Sequence, residues 1–281
     1  MTGALTIGEI LRRSTAYLRE KGSASPRLDA ELLLAHALGV ERLQLYTDSE
    51  RPLNPGELAR ARELVGRRAR REPVAYVLGE RAFRRLRLGV GPEVLVPRPE
   101  TEVLVEWALA AAPEGGTVLD WGTGSGAVAL ALADEGPALR VTAIDRSPEA
   151  LERARANGAR CEGAEVEWLL SDGFAAVAGR RFDVIAANPP YLSRDDLAAA
   201  PPELAFEPED ALVAGPTGLE AVARIAREAP DHLEPGGWVL IEVGDGQAEA
   251  AQGHLRAAGL AEVGHRDDLA GIARAVGGRR G

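Results

Sequence analysis

Four consecutive residues, Asn188-Pro189-Pro190-Tyr191, have the make-up to hold a planar nitrogen. They follow Phe182-Asp183-Val184-Ile185-Ala186-Ala187, an apolar run with Val and Ile at its centre and no Gly or Pro, which predicts a buried strand. The prolines end that strand, so Asn188 stands at its carboxyl end, where open α/β sheets bind ligands. Pro189 has no N–H and Pro190 keeps the residue before it extended, so the carbonyls here are stiffly aimed and free to accept. The Asn188 carbonyl and a proline-flanked backbone carbonyl can together accept from both hydrogens of an NH2 group, with Tyr191 offering a flat face to its carrier. An amide or aromatic amine is a weak nucleophile because its lone pair is delocalised. Two aimed acceptors favour the rehybridised nitrogen, a preorganised electrostatic effect rather than base catalysis. The alternative is a strand-ending turn in which Asn188 only caps.

Upstream, Asp120-Trp121-Gly122-Thr123-Gly124-Ser125-Gly126 lies between a predicted strand, Thr117-Asp120, and a helix from about Gly126. Its glycines allow tight turning and close approach of a ligand, and the helix N-terminus supplies unpaired N–H groups. An adenosine-containing cofactor is expected. With Ala127 the loop also satisfies Gly-x-Gly-x-x-Ala, so a dinucleotide such as NAD has to be weighed. In either case Asp145, ending the predicted strand Val141-Asp145, can accept from both hydroxyls of a ribose. Two acids favour S-adenosylmethionine. Asp120 at the mouth of the loop would repel a pyrophosphate but suits a positive amino-acid end, and Asp172-Gly173, beyond the strand Val166-Leu170, places an acceptor for adenine's amino group. A further segment, Val96-Pro97-Arg98-Pro99-Glu100-Thr101-Glu102, precedes the amphipathic helix Val103 to Ala111; Thr101 or a neighbour can cap that helix, and the dense Arg/Glu/Thr decoration points to a ligand.

These residues need a scaffold. The strands already named, with Trp238-Val243, alternate with helical stretches from Gly126 and Pro148 and on either side of the last strand, which predicts an α/β domain with a mostly parallel sheet covered on both faces. Residues 263–276 can add a final antiparallel pair. The first part reads as helical: a capping box at Thr6-Ile7-Gly8-Glu9, a second helix with Ser25 as N-cap, Pro26 at its first position and Gly39 beyond its end, then Glu41 to Thr47 and Pro55 to about Arg71. Phe83, Leu86, Leu88 and Val90, punctuated by Gly79, Gly89 and Gly91, suggest a hairpin. The expected division is therefore a helical domain over residues 1–74, a β-hairpin linker over 75–96 and a catalytic domain over 97–281. Arg67-Arg68-Ala69-Arg70-Arg71 reads as a solvated face or a surface for an acidic partner.

Composition narrows the classes further. The 281 residues carry a formal charge of −10, which argues against a broad nucleic-acid footprint. Cys161 is the only cysteine, so no disulfide can form within the chain and no metal site is expected. No run reaches transmembrane length and the N-terminus is polar and amphipathic, so a cytoplasmic protein with no membrane association is expected.

Taken together, Pro97-Arg98-Pro99-Glu100-Thr101-Glu102, Gly122-Thr123-Gly124-Ser125-Gly126, Asn188-Pro189-Pro190-Tyr191, Glu207-Pro208 with Ala211-Leu212, Gly218-Leu219-Glu220 and Asp268-Leu269-Ala270-Gly271 make the chain resemble the peptide chain release factor glutamine methyltransferases (HemK/PrmC type) over nearly its whole length. The resemblance implies a class I S-adenosylmethionine-dependent methyltransferase fold: a Rossmann-like, mostly parallel seven-stranded sheet with a small N-terminal helical domain that binds the release factor. It implies methyl transfer to N5 of the glutamine in the Gly-Gly-Gln loop of class 1 release factors by direct displacement. Gly122 to Gly126, Asp120, Asp145, Asp172-Gly173 and Asn188 would contact the cofactor. Asn188 and the Pro189 carbonyl would hold the amide, Pro190 and Tyr191 would wall the pocket, and Pro97, Arg98, Glu100 and Thr101 would close over it. No role falls to His36, His232, His254 or His265. A monomer with no stable nucleic-acid partner is expected. Trp121, Gly173 and Ile272-Ala273 depart from the family's usual residues. The rivals are an N6-adenine or other nucleic-acid amino-methyltransferase acting on a flipped base, an NAD-dependent oxidoreductase, and a non-catalytic adaptor that binds release factors.

Overall fold

The computed structural model describes residues 5–161 and 163–281. The chain divides into two compact units, Met1–Gly79 with Pro201–Phe206, and Glu80–Ala200 with Glu207–Gly281.

The first unit contains α1 (Ile7–Glu20), α2 (Pro26–Leu38), α3 (Gln44–Thr47), α4 (Pro55–Ala69) and α5 (Val74–Leu78). Reciprocal capping boxes open α1, between Thr6 and Glu9, and α4, between Asn54 and Glu57. Ser25 occupies the N-cap of α2 but its side chain makes no capping bond; Pro26 starts that helix and Gly39, at φ 65°, ends it. Ile7, Leu11, Leu18, Leu33, Leu34, Leu45 and Val65 form the core between these helices. The arginine run is neither a solvated face nor free for a partner. Arg68 is 6% exposed and bonded to Asp29 at 2.7 Å and Glu203 at 2.8 Å, Arg71 reaches Glu203 at 2.7 Å, and Arg67 pairs with Glu72. Of the run's four arginines, Arg70 alone is exposed. α5 occupies part of the stretch read as hairpin, because Ala75, Tyr76 and Val77 are buried and Gly79, at φ 76°, stops the helix only there.

The second unit opens with the hairpin β1 (Glu80–Phe83) and β2 (Leu86–Gly89). Phe83 and Leu88 are buried in the core of this unit, so the hairpin is part of it rather than a free linker. There follow α6 (Glu102–Ala111), β3 (Thr117–Trp121), α7 (Ala127–Glu135), β4 (Arg140–Asp145), α8 (Pro148–Gly158), β5 (Val166–Leu170), β6 (Phe182–Ala187), α9 (Arg194–Ala199), α10 (Glu209–Leu212), α11 (Glu220–Glu228), β7 (Leu233–Glu242), α12 (Ala248–Ala257), β8 (Ala261–Asp267) and β9 (Ala273–Arg279). The seven-stranded sheet has the order β5-β4-β3-β6-β7-β9-β8, parallel except where β9 pairs with β7 and β8. β7 begins at Leu233 rather than Trp238, since Glu234-Pro235-Gly236-Gly237 is absorbed as an irregularity in the pairing with β6. The chain runs outward from β3 through β4 to β5, then returns to β6 on the other side of β3. This reversal opens a crevice at the carboxyl ends of β3 and β6. Trp121 lies opposite Ala187, so Gly122 and Asn188 leave the sheet side by side.

Candidate active site

The crevice is a cavity of about 750 Å³. Asp120, Gly122, Thr123, Gly124, Ser125, Asp145, Asp172, Gly173, Asn188, Pro189, Pro190, Pro97 and Thr101 all line it. Gly126, Tyr191, Arg98 and Glu100 are not among its lining residues. The wall is strongly acidic: Glu93, Asp120, Asp145, Glu149, Asp172, Glu209, Asp210 and Glu220 face Arg146 and Arg224. That balance suits a cationic ligand and opposes a pyrophosphate or a nucleic-acid backbone.

The glycine loop is held by its own hydrogen bonds. Gly122 and Thr123 donate their N–H groups to the Ile144 carbonyl at 2.9 and 3.0 Å, and Gly126 donates to the Thr123 carbonyl at 2.8 Å. Asp120, 1% exposed, accepts from the Thr123 hydroxyl at 2.6 Å and the Ala129 N–H at 3.0 Å. Burial pushes its carboxyl up to about 7, with Asp145 adding to the rise. Asp145 accepts from the Gly124 N–H at 2.8 Å and the Ser147 N–H at 2.9 Å, and a carboxylate so engaged keeps lone pairs for a diol. Gly122 and Gly124, at φ 74° and 54°, have open space where a side chain would project. Asn157 ties this loop to the hairpin, donating to the carbonyls of Ser125 at 2.8 Å and Gly89 at 3.0 Å. Asp172 is exposed and paired with Arg224 at 2.7 Å, which holds its carboxyl below the usual range.

Asn188 is built differently. Its amide nitrogen donates to the Thr101 hydroxyl at 3.2 Å, while its carbonyl oxygen is buried with no partner among the described residues. Thr101 therefore does not cap α6; its hydroxyl accepts from Asn188 instead, with the Glu242 carboxyl within reach. Arg98 is drawn away to Glu207 at 2.5 Å, and the same carboxylate accepts from the Val96 N–H at 3.0 Å, clamping the Pro97 segment at its base. The Tyr191 ring packs beside Gly244, and its backbone carbonyl accepts from Gln247 at 2.8 Å. Burial and the charge of Glu242 push the Tyr191 phenol up to about 12, so it stays protonated at neutral pH.

Two family models match the chain: the PrmC N-terminal domain over residues 9–79 and the methyltransferase small domain over residues 99–203. A release factor glutamine methyltransferase of Geobacter sulfurreducens is 44% identical over 277 residues, 98% of this chain and 97% of that relative. One of Bordetella pertussis is 47% identical over 259 residues, covering 90% and 94%. The chain belongs to the release factor glutamine methyltransferase family. A crystal structure of a methyltransferase from Pyrococcus furiosus, 22% identical with a TM-score of 0.54 and covering 80% of this chain and 98% of that one, shares its fold.

The cofactor of this methyltransferase is S-adenosylmethionine, and the site suits it. The acidic wall matches a sulfonium cation, and the open glycine cradle leaves room beside Asp145. Sequence reasoning missed Arg224 and Glu242, and quoted Glu207 in a motif of the resemblance without giving it a role. Glu242 carried a usable signal, a lone carboxylate at the end of the apolar run Trp238-Val239-Leu240-Ile241. Arg224 had none, and the Glu207 motif did not disclose its partners Val96 and Arg98, which are distant in sequence. None of the four histidines lines the cavity, and among the described residues no cluster of three or more metal-ligating side chains occurs.

Proposed function

We propose that this methyltransferase modifies N5 of the glutamine in the Gly-Gly-Gln loop of class 1 release factors, with Asn188 as the residue that receives the amide. The observation that carries this reading is the buried, unpartnered Asn188 Oδ1 beside an acidic, glycine-floored cavity. An oxygen in that state costs free energy unless a donor arrives, and an amide NH2 brings two hydrogens. Asn188 Oδ1 and the Pro189 carbonyl accept one each, which draws the nitrogen out of conjugation with its carbonyl and localises its lone pair. S-adenosylmethionine supplies the electrophilic methyl group. Gly122, Gly124 and Ser125 would hold its methionine end, Asp145 would accept from its ribose and Asp172 from its adenine, while Asp120 holds the loop in shape from beneath. No side-chain base is required, because the nitrogen becomes strongly acidic on methylation and releases its proton to water. Tyr191, behind Asn188, limits solvent access and remains a neutral phenol.

The helical unit binds the release factor in this reading, and the enzyme works as a cytoplasmic monomer; among the described residues no helix is long and apolar enough to cross a membrane. The nucleic-acid and nicotinamide alternatives are not favoured, since the cavity wall repels phosphate. The deciding experiment supplies radiolabelled S-adenosylmethionine with a class 1 release factor, intact or with the loop glutamine changed to alanine. Label on the intact factor alone is expected. Equal label on both would refute the assigned target.

A further inference from the structure

The deeply buried Glu242 has no part in the chemistry so far described. It ends β7, is 2% exposed, and its Oε2 has no hydrogen-bond partner among the described residues. Thr101, itself 3% exposed, lies within hydrogen-bonding reach of this carboxyl, and its hydroxyl accepts from Asn188 Nδ2 at 3.2 Å. We propose that Glu242 is a positioning residue which, through the single proton of the Thr101 hydroxyl, decides which end of the Asn188 amide faces the cavity. The inference rests on the reading of Asn188 as the acceptor for the substrate amide.

The logic is a count of protons. An ionised Glu242 can only accept, so the Thr101 proton points to it. The hydroxyl then offers Asn188 only lone pairs, which binds the Nδ2 end and leaves Oδ1 turned to the cavity. A protonated Glu242 can donate to Thr101 and release the hydroxyl proton toward Asn188. The amide is then free to turn over and would present its NH2 to the NH2 of the glutamine, donor against donor.

Burial pushes Glu242 up to about 7. The charged and titratable groups around it are Arg98 and Glu100 on the segment before α6, Tyr191 after β6 and Arg274 on β9. Arg98 is engaged by Glu207 at 2.5 Å and Arg274 by Asp268 at 2.8 Å, so both partners' charges are largely offset before they reach Glu242. As pH falls through about 7 the carboxylate gains its proton and the acceptor orientation is lost.

The test measures kcat of the full chain from pH 5.5 to 8.5, with saturating S-adenosylmethionine and release factor, for wild type, Glu242→Gln, Thr101→Ser and Thr101→Val. Wild type is expected to lose about tenfold per unit on the acid side. Thr101→Ser should keep this limb, while Glu242→Gln and Thr101→Val should be slower and flat. Infrared difference spectra of the protein alone should show a carboxylic-acid C=O band that grows below about pH 7 and is absent from Glu242→Gln. Asp120 titrates in the same range, so its own C=O band persists in Glu242→Gln and is removed by subtracting that variant's spectrum, while its titration acts on folding stability and adds no limb to kcat. A limb retained by Glu242→Gln, or no limb in wild type, overturns the proposal. Should Glu242→Gln not fold, a limb retained by Thr101→Val overturns it alone. Full activity of Asn188→Ala would instead sink the reading of Asn188, whatever the pH profiles.

Discussion

The two halves of the cavity floor treat their polar groups in opposite ways. In the loop from Asp120 to Gly126, Asp120 and Asp145 accept from the loop's own N–H and hydroxyl groups, and Gly122, Thr123 and Gly126 donate to backbone carbonyls. At Asn188, one face of the amide is tied to Thr101 and the other is left bare. Apart from the Trp121 indole N–H, which is buried without a partner among the described residues, the loop satisfies its own polar groups and is shaped before any ligand arrives. A buried acceptor left open is stabilised only by what binds there, so it is the place to look for the group that reacts.

The largest effect expected from this contrast follows removal of the bare acceptor. Asn188→Ala should lower kcat by about 100-fold or more, by analogy with the loss of one preorganised hydrogen-bonding group. Affinity for S-adenosylmethionine should change much less, because the glycine loop is independently held. Single-turnover methylation with a calorimetric titration separates the two quantities. A drop in kcat of under about threefold would remove Asn188 from the mechanism.

On the loop side the damage should fall on folding instead. Gly126 has φ 84°, and a Cβ there would lie 3.2 Å from Leu130 and Trp168 and 3.3 Å from Ala154. Left-handed strain of about 1–3 kcal/mol is then added to crowding. Gly126→Ala should lower Tm by about 2–4 °C for each kcal/mol lost. The kcat of the protein that remains folded should stay within a few-fold of wild type. An unchanged Tm would show that the loop is less rigid than its hydrogen bonds imply.

Asp120 tests the same rigidity electrostatically. Burial raises its carboxyl from 3.8 to about 7, so the folded state holds a proton that the unfolded state has released. That contribution is fully present below 3.8 and is lost as pH rises through about 7. Asp120→Asn keeps an acceptor for Thr123 and Ala129 but never carries the charge. Urea unfolding at pH 5 and pH 8 should therefore show the variant gaining on wild type at the higher pH. A difference that does not change with pH would mean that Asp120 is not the source of the strain.

The contrast also explains what could be read from the residues alone. Strand ends and glycine turns are local signals, so Asp120, Asp145 and Asn188 could be placed at one edge of a sheet from hydrophobic runs and the residues that stop them. The alternating order likewise gave the parallel sheet. Two kinds of feature escaped. Leu233 was severed from its strand because Pro235-Gly236-Gly237 is locally indistinguishable from a turn, and only pairing with β6 carries the chain through it. Thr101 looked like a cap, yet its hydroxyl accepts from Asn188 and sits within reach of Glu242, both of which lie far along the chain. Long-range pairings of this kind leave no periodicity, and the arginine run, absorbed by Asp29, Glu72 and Glu203, misled for the same reason.

The smallest effect is expected at the rim, where neither pattern holds. Asp172 is exposed and gripped by Arg224, whose guanidinium also occupies the space beside Gly173. A carboxylate in open solvent is screened, so its part in receiving adenine's amino group should be modest. Asp172→Ala should raise KM for S-adenosylmethionine by about two- to fivefold and move kcat little, the signature of binding that is the same in ground and transition states. Arg224→Ala should have a similar effect, because an Asp172 freed from its partner no longer holds one orientation. If either substitution instead cut kcat as deeply as Asn188→Ala, the rim and the bare acceptor would be acting as one unit, and the separation of a self-held cofactor floor from an open substrate acceptor would fail.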